Sequence, residues 1–343
     1  METLFDISLQ ITEPEYRALP AYSYSTISRY YREGFSKVSS LFDKQSTPSL
    51  VFGSMVDALI TGGQKEFDDS FFVATFPNLS DALKSVVISL FESNKDTCSS
   101  LSEVSDNAVL AAAEVHKLYT SWKDQTRINK IKELGSQYYK LLFICGDRLI
   151  ISSDDYEDCL KCVNALKTSP ATRNFFSNNN PFTSVVEKFY QLKFAGHYNN
   201  IPLRAMSDLI MVNHEKKEII LCDLKTSFKP EYEFYKSFIE WNYFWQAQIY
   251  YYVIRQNLDK HPIYKDYKLS DCVFIVVSRN TRTPLTWFYS DTKDDVFVKE
   301  GKTMSWKKTL CELNDVLTKR PKLPVGIMED KPNDIMKWIN ESN

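Results

Sequence analysis

Glycine is scarce: nine of 343 residues, none of them in a GxGxxG or GxxxxGK[ST] pattern. Loops that cradle a dinucleotide or the phosphates of ATP are built from glycines at those spacings, so a nucleotide cofactor of either kind is not expected. Charge of one sign is lacking too. Forty-two Lys and Arg stand against forty-four Asp and Glu, a net charge of -2, which excludes a basic footprint spread over the whole chain and leaves only a local site for a polyanion. No uncharged apolar run approaches the roughly 18 residues of a membrane span, and the N-terminal stretch lacks a charged head and apolar middle. The expected location is therefore cytoplasmic, with no membrane partner. Cysteine is modest, odd in number and scattered, at Cys98, Cys145, Cys159, Cys162, Cys222, Cys272 and Cys311, which suits reduced thiols rather than a disulfide framework. Cys159 and Cys162 form a CxxC without the second pair of a zinc site. The four histidines, His116, His197, His214 and His261, show no ligand spacing.

What is present is enough apolar material, 43% of the chain, to bury a substantial core. The first part reads as helical. "YSYSTISRYYREG" predicts a capped helix opening at Ser25, "SLVFGSMVDALITGG" a helix entered through Gly53 and stopped at Gly62 and Gly63, and residues 106–142 further helix. That last stretch carries Lys117, Lys123, Arg127, Lys130 and Lys132 against Asp124 and Glu133, a face able to meet phosphates or simply to face water. After the helix in "SSDDYEDCLKCVNALKTSPATRNFF" strand patterns take over: "SVVEKFYQLKF", "LRAMSDLIMV", "EIILCDLKTS", "DCVFIVVSR" and "LTWFYSD", all rich in β-branched and aromatic residues. "WNYFWQAQIYYYVIRQNL" predicts a helix crossing over between the third and fourth strands, and "TMSWKKTLCELNDVLTKR" a last helix before a tail from Pro321. The economical reading is one α/β domain over 1–343: a helical elaboration over 1–180, a mixed central sheet with flanking helices over 181–320, and a tail over 321–343.

Two of those strands hold acids among apolar residues. In "ILCDLKT" side chains alternate, so Asp223 and Lys225 share one face. Asp208 lies fifteen residues earlier, and the polar run "NHEKKE" is a plausible reversal that brings it beside Asp223. Adjacent carboxylates repel, and a divalent cation is one way to make the arrangement favourable; oxygen ligands select a hard ion such as Mg²⁺, with Mn²⁺ able to substitute. Lys225 would then orient or help deprotonate water, or offset charge developing on a phosphate. The alternative is an ion pair between Asp223 and Lys225 with no catalytic role.

The pattern Asp208…Asp223-Leu224-Lys225 resembles the core of the PD-(D/E)XK nuclease superfamily, with Ser207 where the name-giving proline often stands. Gln246 and Tyr250 in "WQAQIYYY" resemble the QxxxY of its RecB-like branch, "YSYSTISRYY" its S-x-S-x-[IL] opening, and "LVFGSMVDALITGG…FDDSFFV" the G-x-x-x-H segment, loop and strand of RecE-like exodeoxyribonuclease VIII proteins. "DDYEDCLKCVNALKTSPATRNFF" is similar to the helix preceding their catalytic sheet.

The resemblance implies a restriction-endonuclease-like α+β fold. It makes Asp208 and Asp223 metal-binding carboxylates and Lys225 the catalytic lysine, places Gln246 and Tyr250 at the active site near DNA, and adds Glu187 as an upstream acid near the metals. Asp57 stands where the histidine is customary; a carboxylate there suits a hard cation, or is a surface or capping residue. No iron–sulfur cluster is expected, because only Cys272 and Cys311 follow the sheet. The implied activity is a Mg²⁺-dependent exonuclease acting on linear duplex DNA from 5′ ends in phage-type annealing recombination, with an annealing protein as partner and a ring of subunits around DNA. A single-strand nuclease or endonuclease of the RecB-like branch, and a non-catalytic DNA-binding module, are the rival expectations. Trp241, Tyr243, Phe244 and Trp245 are read as core or as a platform for unpaired bases.

Overall fold

Alternating β-branched, aromatic and polar residues between 186 and 227 build the frame on which everything else rests. The computed structural model describes residues 3–43, 45–76, 79–177, 186–294, 296–299 and 301–319. The tail expected from Pro321, and the Ser184 and Val185 start of the first long strand, lie outside them.

The chain opens with α1 (Leu4–Ile7) and α2 (Glu13–Ala18), then α3 (Tyr24–Glu33), α4 (Pro48–Thr61) and α5 (Gly63–Ser70). A short strand β1 (Phe71–Ala74) is followed by α6 (Asp81–Asn94), α7 (Asp106–Val115) and α8 (Asp124–Cys145), and pairs in parallel with β2 (Leu149–Ser152). After α9 (Ser153–Thr168) and α10 (Arg173–Phe176) come β3 (Val186–Tyr198), β4 (Ile201–Asn213) and β5 (Glu218–Ser227). Next are α11 (Phe234–Glu240), α12 (Tyr243–Leu258), β6 (Lys268–Leu269), β7 (Cys272–Ser278) and β8 (Leu285–Tyr289). A hairpin of β9 (Val296–Lys299) and β10 (Lys302–Ser305) leads into α13 (Trp306–Lys319).

The central sheet has the order β3-β4-β5-β7-β8, with β6 beside β5. β3, β4 and β5 form an antiparallel meander, β5 and β7 run parallel, and β8 returns antiparallel. A parallel neighbour requires a crossover, and α11 and α12 supply it. This is the mixed sheet flanked by helices that the sequence predicts.

One face of the sheet, with Leu192, Phe194, Leu203 and Phe274, packs against Trp245 and Ile249 of α12 and Trp306 of α13. The opposite face, with Leu209, Cys222, Val273 and Ile275, packs against α4 and α9. A third apolar cluster lies among α6, α7 and α8. Cys159 and Cys162 are fully buried in the second cluster with Cys222; burial pushes their thiols up, to about 12 and about 11, so they behave as small apolar core residues.

Several local expectations are corrected. The α3 cap is Ser23, whose hydroxyl accepts from the Thr26 N–H, and not Ser25. α4 starts at Pro48 behind a Thr47 cap rather than at Gly53. Gly53 sits inside the helix, where an added Cβ would lie 3.1 Å from Thr226 Oγ1; its lack of a side chain lets α4 press onto β5. The helix predicted over 106–142 is broken between α7 and α8 by Lys117 and Tyr119 in the left-handed region, φ 51° and 53°, and the strand β10 takes the start of the last predicted helix. Of the five cations on the basic face, three are engaged and Lys117 and Lys123 are exposed. Arg127 is buried, donating to the Leu118 carbonyl and paired with Glu114, while Lys130 and Lys132 pair with Glu133 and Asp106. Among the described residues no helix is long and apolar enough to cross a membrane.

Candidate active site

In a regular strand residues of equal parity share a face. β3 breaks that rule: Tyr190 packs against the α4 side, whereas Leu192 and Phe194 belong to the α12 side. β4 breaks it at the same level, with Leu203 and Ala205, then Ile210 and Val212, all on the α12 side. The reversal falls at Gln191, which has φ 53° and interrupts the ladder opposite Asp208. The β4–β5 ladder also ends here, at Leu209 and Cys222. One position further Asp208 and Asp223 stand opposite each other with no ladder pair between them.

Two polar groups fill the opening. The Leu224 N–H donates to Asp208 Oδ2 at 2.8 Å in place of a strand partner. Ser207, buried, donates its hydroxyl to the carbonyls of Leu209 and Cys222 at 3.2 and 3.3 Å, which gives this serine a structural task. The edge of β4 that β5 abandons is taken by the N-terminal segment, where Tyr22 bridges Leu203.

Asp223 is 2% exposed. Its Oδ2 is ion-paired with Lys225, and its Oδ1 accepts from Gln246 Nε2 at 2.6 Å. The same amide lies 3.2 Å from the Tyr250 hydroxyl, as positions i and i+4 of one helix allow. Lys225 Nζ lies 4.6 Å from the Tyr243 ring centroid. Asp57, on the sheet-facing side of α4, accepts at Oδ2 from Gln191 Nε2 at 2.7 Å, while its buried Oδ1 has no hydrogen-bond partner. Asp57 and Asp208 line one small cleft with Ile60, Thr61, Tyr190 and Leu224.

The electrostatics follow from this crowding. Burial first, then the charges of Asp223 and Asp57, hold the Asp208 carboxyl well above its ordinary value. Burial raises Asp223, against the opposing pull of Lys225 and Gln246. Burial and the charge of Glu66 push Asp57 up to about 7. Burial alone would lower the Lys225 ammonium, but the facing Asp223, Tyr243 and Asp208 raise it overall, so it stays protonated and acts as a fixed charge rather than a proton acceptor.

The structure thus brings together Asp208, Asp223, Lys225, Gln246 and Tyr250, with Asp57 at the α4 rim. It does not bring Glu187 to them. Glu187 pairs with Val212, four positions along β3 from Gln191, and its carboxylate meets His214 Nε2 at 2.9 Å. Among the described residues no three His, Cys, Asp or Glu side chains gather as a ligand cluster. Gln191 was not foreseen. Alternation in "FYQLKF" puts it among solvent-facing positions, and glutamine carries none of the left-handed preference by which glycine or asparagine would flag a reversal.

The aromatic run divides. Phe244 and Trp245 are fully buried, while Trp241 is 40% exposed.

A divalent ion fits the residues present in two respects. The acids offer oxygen only, and Asp57 Oδ1 and Gln246 Oε1 are buried acceptors without donors, which a hard cation with its water shell would satisfy. No family model matches this chain, and no curated protein matches it. Among solved structures, it is similar to a protein from Eubacterium rectale provisionally named an exonuclease, with a TM-score of 0.43 and 11% identity over 95% of this chain and 99% of that one.

Proposed function

We propose that this chain is a Mg²⁺-dependent deoxyribonuclease that hydrolyses phosphodiesters from the ends of linear duplex DNA. The observation that carries the reading is the opening of the β4–β5 ladder, which sets Asp208 against Asp223 beside a protonated Lys225. Asp208 and Asp223 would hold the ion, and Asp57 Oδ1, which lines the same small cleft as Asp208 but does not gather with the pair, would accept from the ion's water shell. When bound, it supplies Lewis acidity and offsets the repulsion of the acids. Lys225 would place its fixed positive charge against a phosphoryl oxygen as negative charge develops. Gln246 anchors Asp223 Oδ1 and keeps Oε1 free as an acceptor for a water proton; Tyr250 is held neutral by burial and orients that amide. Digestion from 5′ ends, a ring of subunits and an annealing partner rest on the sequence resemblance alone.

The test is digestion of end-labelled linear duplex, covalently closed circles and single strands, each with Mg²⁺ and with EDTA. Linear duplex is expected to disappear with Mg²⁺ alone, releasing 5′-phosphorylated products, while circles persist. Cleavage of circles would replace the exonuclease by an endonuclease; intact linear DNA with both Mg²⁺ and Mn²⁺ would remove the enzymatic reading.

Gln191 supplies a second check on the ion. Gln191→Leu keeps the volume and removes the donor that orients Asp57. Calorimetric titration of Mg²⁺ is expected to show affinity reduced about 10-fold, the usual scale for losing a hydrogen bond behind a metal ligand. Unchanged affinity would mean that Asp57 takes no part in holding the ion.

A further inference from the structure

The junction of α11 and α12 carries a stacked pair that the reaction centre does not use. Trp241 ends α11, and its carbonyl accepts from the Tyr24 hydroxyl at 2.6 Å and the Ser28 hydroxyl at 2.9 Å. Asn242, next in the chain, is buried in the left-handed region (φ 58°, ψ 42°) and donates to Ser28 Oγ at 3.3 Å. The backbone here is therefore fixed from below, and it presents the indole outward. Over that ring, 4.4 Å from its centroid, lies the guanidinium of Arg32. Arg32 donates to the Ser28 carbonyl at 3.3 Å, and among the described residues no carboxylate pairs with it. An exposed indole stacked on an uncompensated cation keeps both a π face and a charge available.

Inward from the pair, aromatic rings lead to the acids. Tyr24 and Tyr243 are 6.3 Å apart, and Lys225 Nζ stands over Tyr243 beside Asp223. The charge of Arg32 is felt at both Tyr24 and Tyr243. Tyr24 thus holds the Trp241 carbonyl on one side and neighbours Tyr243 on the other, which links the surface pair to Lys225 and Asp223.

We propose that Arg32 and Trp241 form a nucleotide subsite: Trp241 stacks on one unpaired base of the strand whose phosphodiester lies at Lys225, and Arg32 meets a neighbouring phosphate. The subsite rests on the nuclease reading for the strand's position, but its chemistry is that of single-stranded nucleic-acid recognition, aromatic stacking joined to backbone charge.

The experiment measures binding of a short fluorescein-labelled oligothymidylate, and of an abasic oligonucleotide of equal length, by anisotropy in EDTA. Wild type is compared with Trp241→Ala, Trp241→Leu, Trp241→Phe and Arg32→Ala. The leucine variant keeps an apolar side chain at the end of α11, and stands in for the alanine one should that fold poorly. Trp241→Ala and Trp241→Leu are expected to bind oligothymidylate about 10-fold more weakly and the abasic strand as wild type does, with Trp241→Phe recovering most of the loss. Arg32→Ala is expected to weaken both strands and to lower the salt dependence by about one phosphate contact. Equal binding of both strands by wild type and the Trp241 variants would overturn the proposal, as would an equal loss on both. Digestion of linear DNA by wild type, measured separately, keeps the two ideas apart: normal digestion with indifferent Trp241 variants removes the subsite alone, and base-selective binding without digestion removes the nuclease alone.

Discussion

Lys225→Ala is expected to digest linear duplex DNA about 10²- to 10³-fold more slowly than wild type in saturating Mg²⁺. The loss is that large because a preorganised charge in a water-poor site acts on the transition state with little reorganisation, on the scale found when one electrostatic donor is removed from an enzyme. Lys225 is suited to that role: it is paired with Asp223, lies over Tyr243, and keeps its proton because the facing acids outweigh its burial. The substitution also strips the counter-ion from a carboxylate that is 2% exposed, so stability should fall by about 3 kcal/mol. Rates are therefore to be compared at a temperature where circular dichroism shows both proteins folded. Lys225→Arg keeps the charge but not the point geometry, and should recover only part of the rate. Activity of folded Lys225→Ala within ten-fold of wild type would leave the Asp223–Lys225 pair a structural feature.

Asp57→Asn should reveal itself in the pH dependence of stability, beside any loss of Mg²⁺ affinity. Burial and the charge of Glu66 hold the Asp57 carboxyl near 7, above its ordinary 3.8. The folded protein thus retains a proton at Asp57 that the unfolded chain has released, and stability falls as pH rises from about 4 to about 7. The loss is complete above the folded value and amounts to roughly 4 kcal/mol at most. The amide introduced by Asp57→Asn is neutral throughout and can still accept from Gln191. In EDTA, thermal melting of wild type and Asp57→Asn should coincide at pH 4 and diverge towards pH 8, with the variant the more stable. Adding Mg²⁺ at pH 8 should raise the wild type more than the variant, since a cation relieves the same unfavourable charge. Melting curves that keep a constant offset across this range would show that Asp57 is not strained by its charge.

Much of the frame is legible from side-chain periodicity. β5 begins and ends where "EIILCDLKTS" does, the reversal between β4 and β5 falls in "NHEKKE", and the α12 crossover lies where the aromatic-rich helix pattern ends the meander. These features are local: strand faces, polar turns and helix faces are set by neighbours in the chain. The same locality explains the errors. Gly53 reads as a helix entrance because glycine is a poor helix former, while its position is dictated by the approach of α4 to Thr226. Arg127 reads as a surface charge, while its place is decided by the Leu118 carbonyl and Glu114 across a break between helices.

At the candidate site the chain by itself determined which residues are available: two aspartates on neighbouring strands, a lysine two positions after the second, and an amide and a phenol one helical turn apart. Tertiary structure alone decided how they are used. It separated Glu187 from the acids by four positions along β3 and turned it to His214, recruited Gln191 through a left-handed reversal, and divided the aromatic run into a buried core and one outward indole. The physical reason is that periodicity reports the face of an element, whereas charge, burial and hydrogen-bond partners depend on elements distant in sequence. Two strands must part before their acids can meet anything but each other.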